Sequence, residues 1–386
     1  MRILERQARW GEDTRLLVTG GLGFIGSNFI RYVLAHRPDW AIVNLDKVTY
    51  AGNPDNLRDI EKDPRYRLVR GDICDRKCVG RVMKDVDAVV NFAAETHVDR
   101  SIQNPDAFLR TNILGTDILL EHIRKYDLQR FVQISTDEVY GSITKGSFSE
   151  DATLHPSSPY AASKAAADLM ALAFRHTYGM PLLITRSTNN YGPYQHPEKL
   201  IPLITTNAFE NQQLPIYGTG QNVRDWLYVE DNCAAILTVL ERGAVSEIYN
   251  VSSGEEKTNI EVTKAVLHTL KKPKSLIDYV EDRPGHDFRY SINSEKVRAL
   301  GWTPQYDFAR GTQETIRWYL KNEWWWRKIM ARQQHRDYLR KHCMRFHAQS
   351  KPSMAIDAST RMLSRRRYLP SSLKEFKGHR SKRALS

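Results

Sequence analysis

The stretch that most limits how this chain can fold is Leu16-Leu-Val-Thr followed directly by Gly20-Gly-Leu-Gly-Phe-Ile-Gly26. The first four residues read as a short buried strand, and apolar residues then recur at helical spacing over 24–35. Glycines between the two let the backbone turn tightly and the helix pack on the strand. They also leave room for a pyrophosphate at the helix N-terminus, whose partial positive charge favours it. Asp46 closes the next apolar run, Ala41-Ile-Val-Asn-Leu, twenty residues after Gly26. A carboxylate there accepts hydrogen bonds from an adenosine ribose and repels a 2′-phosphate, which favours NAD over NADP; Lys47 beside it softens that preference. Asp72, in Gly71-Asp-Ile, reads equally as an adenine contact or as a solvated loop acid.

Further strand-like runs at Ala88-Val-Val-Asn-Phe, Phe131-Val-Gln-Ile-Ser and Pro181-Leu-Leu-Ile-Thr alternate with helical patterns over 106–125 and 160–178. Strands alternating with helices predict an α/β fold with a doubly wound parallel sheet covered on both faces. After about Asn189 the pattern loosens, and Pro193, Pro197, Pro202, Pro215, Gly218 and Gly220 mark the loops of a smaller substrate-capping region. The expected division is an N-terminal extension over 1–13, an NAD-binding domain over 14–188, a substrate-binding region over 189–326 and a tail over 327–386.

The formal net charge of +12 belongs to that tail. Residues 327–386 hold 17 Lys and Arg against three Asp and Glu, whereas the rest of the chain holds 40 against 42. An argument from charge to nucleic acid therefore applies only to the tail. No apolar run approaches the ~20 residues that span a bilayer. The first residues carry Glu5, Glu12 and Asp13 and no apolar core, so neither a secretory nor a transit peptide is expected. Cys74, Cys78, Cys233 and Cys343 are too scattered for a disulfide framework, and Cys74 with Cys78 lacks a second ligand pair, so no metal site is expected. These features predict a cytoplasmic protein.

The chemistry is carried downstream. Thr136-Asp137-Glu138 stands at the carboxyl end of a predicted parallel strand, where open α/β sheets build their sites. Tyr160 and Lys164 follow, four apart on one helical face. Among 18 tyrosines a Tyr-x-x-x-Lys arises readily by chance; its position after a dinucleotide turn gives it weight. A lysine ammonium near a phenol favours the phenolate, which makes Tyr160 a base for a sugar hydroxyl. Two adjacent carboxyls in different surroundings supply one acid and one base, which simple hydride transfer does not need and a dehydration does. The alternative is a solvated strand end with Thr136 as a turn cap. Ser158-Pro159 reads as a helix cap.

From about Arg15 to Trp326 the chain resembles the dTDP-glucose 4,6-dehydratase family, of the extended short-chain dehydrogenase/reductase type with a Rossmann-type fold. The stretches that carry the resemblance are VTGGLGFIGSNF, NLDKVTYAGN, GDICD, NFAAETHVDRSI, ISTDEVYG, SPYAASKAAAD, NNYGPYQHPEKLIP, YGTGQNVRDWLYVED and DRPGHDFRY. The resemblance implies that Tyr160 takes the proton of the 4-hydroxyl while hydride leaves carbon 4 for NAD, with Thr136 bonded to that oxygen. Glu138 then removes the carbon-5 proton, Asp137 protonates the departing 6-hydroxyl, and the hydride returns to carbon 6. It implies a cofactor set of Gly20, Gly23, Phe24, Ile25, Gly26, Asp46, Lys47, Thr49, Asp72, Ile73, Ala94, Tyr160, Lys164 and Asn189. The implied contacts to a nucleoside-diphosphate hexose are Thr96, Asn190, Glu198, Lys199, Arg224, Asn259 and Arg283. Thr96 departs from the serine common in the family but keeps the hydroxyl. A homodimer joined through the helices over 106–125 and 160–178 is also implied.

Two rivals remain on sequence grounds. A UDP-glucose 4,6-dehydratase would keep the mechanism, because one methyl separates uracil from thymine and discriminates by only about 1–3 kcal/mol. A non-catalytic NAD or nucleotide-sugar sensor would use the basic tail to bind nucleic acid, yet has no use for Tyr160, Lys164, Asp137 and Glu138 together. The tail, with SRRRY and HRSKR between Ser- and Pro-containing stretches, has the composition of a disordered extension; an anionic partner such as nucleic acid or a membrane surface, and a specific protein dock, are the alternatives. Trp324-Trp325-Trp326 is expected to pack at the end of the last family helix. His97 and His286 are read as structural.

Overall fold

The computed structural model describes residues 10–11, 13–282 and 285–332. In chain order its strands are β1 (Arg15–Thr19), β2 (Ala41–Asp46), β3 (Tyr66–Arg70), β4 (Ala88–Asn91), β5 (Arg130–Thr136), β6 (Leu182–Ser187), β7 (Asn189–Tyr191), β8 (Leu214–Tyr217), β9 (Val223–Tyr228), β10 (Ile248–Val251), β11 (Glu256–Thr258) and β12 (Ile277–Val280). Seven form one sheet in the order β10-β6-β5-β4-β1-β2-β3, all parallel. The order reverses between β1 and β4, with Thr19 opposite Asn91, and a crevice opens there beyond the carboxyl ends of the strands.

Both faces of the sheet are covered, which is why its strands are near-continuous apolar runs. On one face Leu16, Val18 and Val90 pack with Phe29 and Ile30 of the helix Phe24–His36 and with Ile236 and Val239 of the helix Val229–Arg242. On the other, Leu17, Val89 and Phe131 pack with Val79, Leu119 and Ala171 from three further helices. The division at residue 188 is therefore not a clean one. The helix Val229–Arg242 and β10 return to the main sheet after the chain has entered the smaller region. β10 pairs with β6, covers that strand's outer edge and becomes the edge strand of the sheet itself. The smaller region keeps two short sheets, β11-β9-β7 and β12-β8.

The helix Pro159–Tyr178 starts as its sequence suggests: Ser158 Oγ accepts from the Ala161 N–H at 3.1 Å, Pro159 takes the first position and Gly179 closes the end in the left-handed region. The single helix expected over 106–125 is instead Asp106–Phe108, a π-helical segment Leu109–Gly115, and Thr116–Tyr126. At that widened turn Asn112 Nδ2 donates to the Glu95 carbonyl and to Ser163 Oγ, bonds that tie the helix to its neighbours. The tryptophan triplet lies in the helix Glu323–Met330; Trp325 and Trp326 are buried among Tyr319, Trp318 and Phe209, and Trp324 is exposed. Residues 1–9, most of the basic tail (333–386) and Arg283 lie outside the described residues.

Candidate active site

A cavity of about 310 Å³ opens at the crevice between β1 and β4. Its cofactor half is the glycine turn. Gly20 lies at φ +68°, where a side chain is strained, and a Cβ on Gly26 would stand 2.5 Å from the Gly20 carbonyl oxygen. Glycine at both lets the helix Phe24–His36 begin against the strand with no acidic residue in its first turn, so its leading N–H groups face the cavity without a competing charge. Asp46 Oδ2 accepts from the Leu22 N–H at 2.9 Å and Oδ1 from the Val48 N–H at 2.7 Å. The second bond holds Val48 at φ +57°, an uncommon conformation for a β-branched residue. Burial raises the Asp46 carboxyl against the pull of those two N–H groups.

Every residue of the expected cofactor set lines this cavity: Gly20, Gly23, Phe24, Ile25, Gly26, Asp46, Lys47, Thr49, Asp72, Ile73, Ala94, Tyr160, Lys164 and Asn189. Lys47 and Asp72 meet at 2.7 Å, so the lysine charge is directed at Asp72 rather than at a ribose phosphate. Burial alone would raise Asp72, but Lys47 and the Cys74 N–H outweigh it and leave the carboxyl below its usual range. An elongated groove of glycine backbone, an open helix N-terminus and a carboxylate at its far strand end fit a dinucleotide.

The catalytic candidates share the same cavity. Thr136 ends β5 and caps the short 3-10 turn Asp137–Tyr140, its Oγ1 accepting from the Glu138 N–H at 3.3 Å and donating to Asp137 Oδ1 at 3.1 Å. Thr136 is thus a turn cap and a wall of the site at once. Asp137 is 2% exposed, and its Oδ2 has no hydrogen-bond partner among the described residues. Burial, with the Glu138 charge adding to it, pushes the Asp137 carboxyl up to about 8, against the pull of Arg224 and Thr136. At neutral pH it holds its proton. Burial pulls the Lys164 ammonium down to about 8, and Asp168 opposes that fall.

Tyr160 departs from expectation. Burial first, then the Glu138 charge, holds its phenol well above the usual range, although a hydrogen bond with Thr136 works the other way. Lys164 Nζ donates to the Ile134 carbonyl. Burial and the neighbouring carboxylates, not the lysine, govern the phenol here.

Of the substrate candidates, Thr96, Asn190, Glu198 and Lys199 line the cavity. Asn190 Oδ1 is buried without a partner among the described residues. Glu198 is buried between Arg100 at 3.4 Å, His196 at 3.6 Å and His97 at 3.8 Å, and burial raises its carboxyl despite Lys199 and Arg100. Arg224 and Asn259 do not belong to the cavity wall. Arg224 on β9 donates to the Val223 carbonyl at 2.7 Å and the Asp287 carbonyl at 2.9 Å, and lies 4.2 Å over the Tyr290 ring. Its field still reaches Asp137. Asn259 begins a helix next to β9 and donates its N–H to the Asn222 carbonyl at 3.1 Å. His97 and His286 stay off the cavity wall, the latter 2.6 Å from Asp282.

Sequence reasoning missed Asn56, His196, Trp325 and Ile329, all of which line the cavity. His196 was within reach, since it lies inside the NNYGPYQHPEKL stretch between Asn190 and Glu198. Among the described residues no three His, Cys, Asp or Glu converge as a metal site, and no helix is long and apolar enough to cross a membrane.

Known proteins resemble this arrangement closely. The family described as GDP-mannose 4,6 dehydratase matches residues 17–315. A dTDP-glucose 4,6-dehydratase of Streptomyces niveus is 50% identical over 322 residues, 82% of this chain and 96% of the relative. The Escherichia coli dTDP-glucose 4,6-dehydratase is 45% identical over 349 residues, again 82% of this chain and 96% of the relative. Among solved structures, DesIV, the Streptomyces venezuelae dTDP-glucose 4,6-dehydratase, was crystallised with NAD and a second ligand. It superposes with a TM-score of 0.80 at 50% identity, over 82% of this chain and all of that one (100%). The UDP-glucose 4-epimerase of Thermotoga maritima superposes with a TM-score of 0.75 at 27% identity, covering 80% of this chain and 100% of that one.

Proposed function

The chain belongs to the dTDP-glucose 4,6-dehydratase family, and on that premise we propose that it converts dTDP-glucose to dTDP-4-keto-6-deoxyglucose and water through the residues gathered in its cavity. Gly20, Gly23, Gly26 and Asp46 would hold NAD, which would supply a hydride acceptor for carbon 4 and a hydride donor for carbon 6, so the reaction has no net redox change. Tyr160, whose own phenol proton must first be released, accepts as phenolate the proton of the 4-hydroxyl, and Thr136, hydrogen-bonded to the same side chain, orients that oxygen. The ketone at carbon 4 acidifies carbon 5, where Glu138 removes the proton. Asp137 delivers its own proton to the 6-oxygen, the carbon–oxygen bond breaks and water leaves; as hydride arrives at carbon 6, Glu138 returns the proton to carbon 5.

One observation carries this reading. Asp137 is a carboxyl that keeps its proton near pH 7, with one oxygen unpartnered and a second acid beside it. An oxidoreductase or epimerase has no use for a buried neutral acid next to a base; an elimination needs both. Asn190, Glu198 and Lys199 are assigned to the sugar and diphosphate, Arg224 and Arg283 to the diphosphate, and Asn259 to a further polar contact.

A cytoplasmic homodimer is part of the same proposal. Ile102, Leu109, Leu114, Leu169 and Tyr178 are exposed on the segments over 98–126 and 159–178, an apolar face suited to a second copy of the chain.

The test is proton NMR of dTDP-glucose deuterated at carbon 4, incubated with purified protein. Deuterium in a new 6-methyl group without net cofactor reduction is expected. Conversion of UDP-glucose in preference to dTDP-glucose would overturn the nucleotide assignment, and no conversion of either would overturn the activity.

A further inference from the structure

The peptide at Leu22 stands in the middle of the glycine turn and is gripped from both ends. Its N–H donates to Asp46 Oδ2 at 2.9 Å, while its carbonyl accepts from the Asn53 N–H at 3.0 Å and from Asn56 Nδ2 at 2.9 Å. Flanking glycines would otherwise leave this peptide free to sample many conformations. Asn56 is 1% exposed, and the orientation of its amide is set from elsewhere. Trp325 Nε1 donates to Asn56 Oδ1 at 2.8 Å, which turns Nδ2 toward Leu22.

Trp325 is itself immobilised. It is 1% exposed and lies against Trp318, with ring centroids 5.1 Å apart, and against Tyr194 at 5.9 Å. The helix that carries it is tied to the same stretch by Lys328 to Asp55 and by Arg332 to Asn53 Oδ1 at 3.2 Å. Trp325 and Ile329 also form part of the cavity wall. A hydrogen-bonded chain thus runs from the last described helix through Asn56 to the phosphate turn and on to Asp46.

We propose that Trp325 is a positioning residue for cofactor retention: its indole N–H fixes Asn56, and Asn56 fixes the Leu22 peptide in the shape that receives the dinucleotide. The inference rests on the NAD reading of that groove. Losing the indole donor leaves Asn56 Oδ1 buried without a partner, a defect of the size that changes an equilibrium roughly tenfold.

The experiment measures exchange of bound NAD for labelled NAD in the holoenzyme. Trp325→Phe keeps a ring in the wall and removes the donor, and is expected to speed NAD loss about tenfold. In an Asn56→Ala background the same substitution should add nothing, because the partner through which it acts is gone. Arg327→Ala, which removes the ion pairs of the same helix to Glu210 and Glu323 without touching the 53–56 stretch, should leave the exchange rate unchanged. Unchanged exchange in Trp325→Phe, full additivity with Asn56→Ala, or equal acceleration by Arg327→Ala would each overturn the proposal. A wild-type protein that holds no NAD would instead overturn the reading beneath it.

Discussion

Asp168 sits one helical turn beyond Lys164 and is the carboxylate that opposes the burial of its ammonium. Its Oδ2 accepts from Ser135 Oγ and from Arg186 Nε, both at 2.9 Å, and Arg186 NH1 donates to Tyr140 OH at 2.8 Å. None of these side chains except Ser135 and Lys164 lines the cavity, so the pair acts from behind it. Asp168→Asn keeps an acceptor and removes the charge. Lys164, already pulled down to about 8, should then lose its proton at lower pH, and the alkaline limb of the pH–rate profile should move down by about one unit. Leaving Arg186 buried without its carboxylate costs ~3 kcal/mol, so the profile is best taken at low temperature. A limb that stays in place would show that Asp168 serves only the fold.

Asp137→Asn separates activity from stability. The folded-state value of about 8 lies above the unfolded carboxyl, so the folded protein binds this proton more tightly. Stability therefore falls as pH rises from about 4 to about 8, and the asparagine variant lacks that loss. Urea melts should show the variant gaining on the wild type by on the order of 2 kcal/mol between pH 6 and 9. Turnover should drop by about 10²–10⁴. If oxidation at carbon 4 persists, recovered substrate should still exchange its carbon-5 hydrogen with deuterated solvent. A variant that turns over normally would remove Asp137 from the elimination.

Tyr160→Phe should stop the reaction before any carbon-5 exchange, because the 4-hydroxyl then has no proton acceptor. Since the phenol is held high by burial and by Glu138, Glu138→Gln should lower its titration and shift the acid side of the carbon-4 oxidation toward lower pH. Single-turnover rates against pH check both. Exchange at carbon 5 in the phenylalanine variant would count against the assignment.

The parts of the site that were legible in the sequence are those built by a few consecutive residues. The glycine turn, Asp46 at its strand end, the Thr136 cap and the Ser158-Pro159 helix start each depend on local backbone chemistry. What escaped depends on contacts across the chain. β3 reads YRLVR, with charges at Arg67 and Arg70 and only Tyr66 buried, because it is an edge strand. β10 joins the main sheet only through its pairing with β6. Trp325 meets Asn56 across 269 residues, and no spacing rule carries that far. The phenol of Tyr160 shows the same limit in energetic form. A motif places a lysine near a tyrosine, but how far burial and Glu138 raise the phenol depends on the whole shell around both.

The glycine turn offers a contrast between two positions that sequence alone treats alike. A Cβ on Gly26 would meet backbone on both sides, the Gly20 oxygen at 2.5 Å and Gly21 Cα at 2.9 Å. Neither can swing aside, so Gly26→Ala must push the helix off the strand, and both the melting temperature and NAD affinity should fall. A Cβ on Gly23 meets only the Gly20 oxygen, at 3.2 Å, and otherwise enters the cavity. Gly23→Ala should therefore cost no more than about 1 kcal/mol in stability while occupying space that a pyrophosphate needs. Thermal melts without cofactor and NAD titrations of the two variants separate the cases. If Gly23→Ala binds NAD as the wild type does, the pyrophosphate does not lie against this turn, and the carboxylate at Asp46 loses its reason to face the groove.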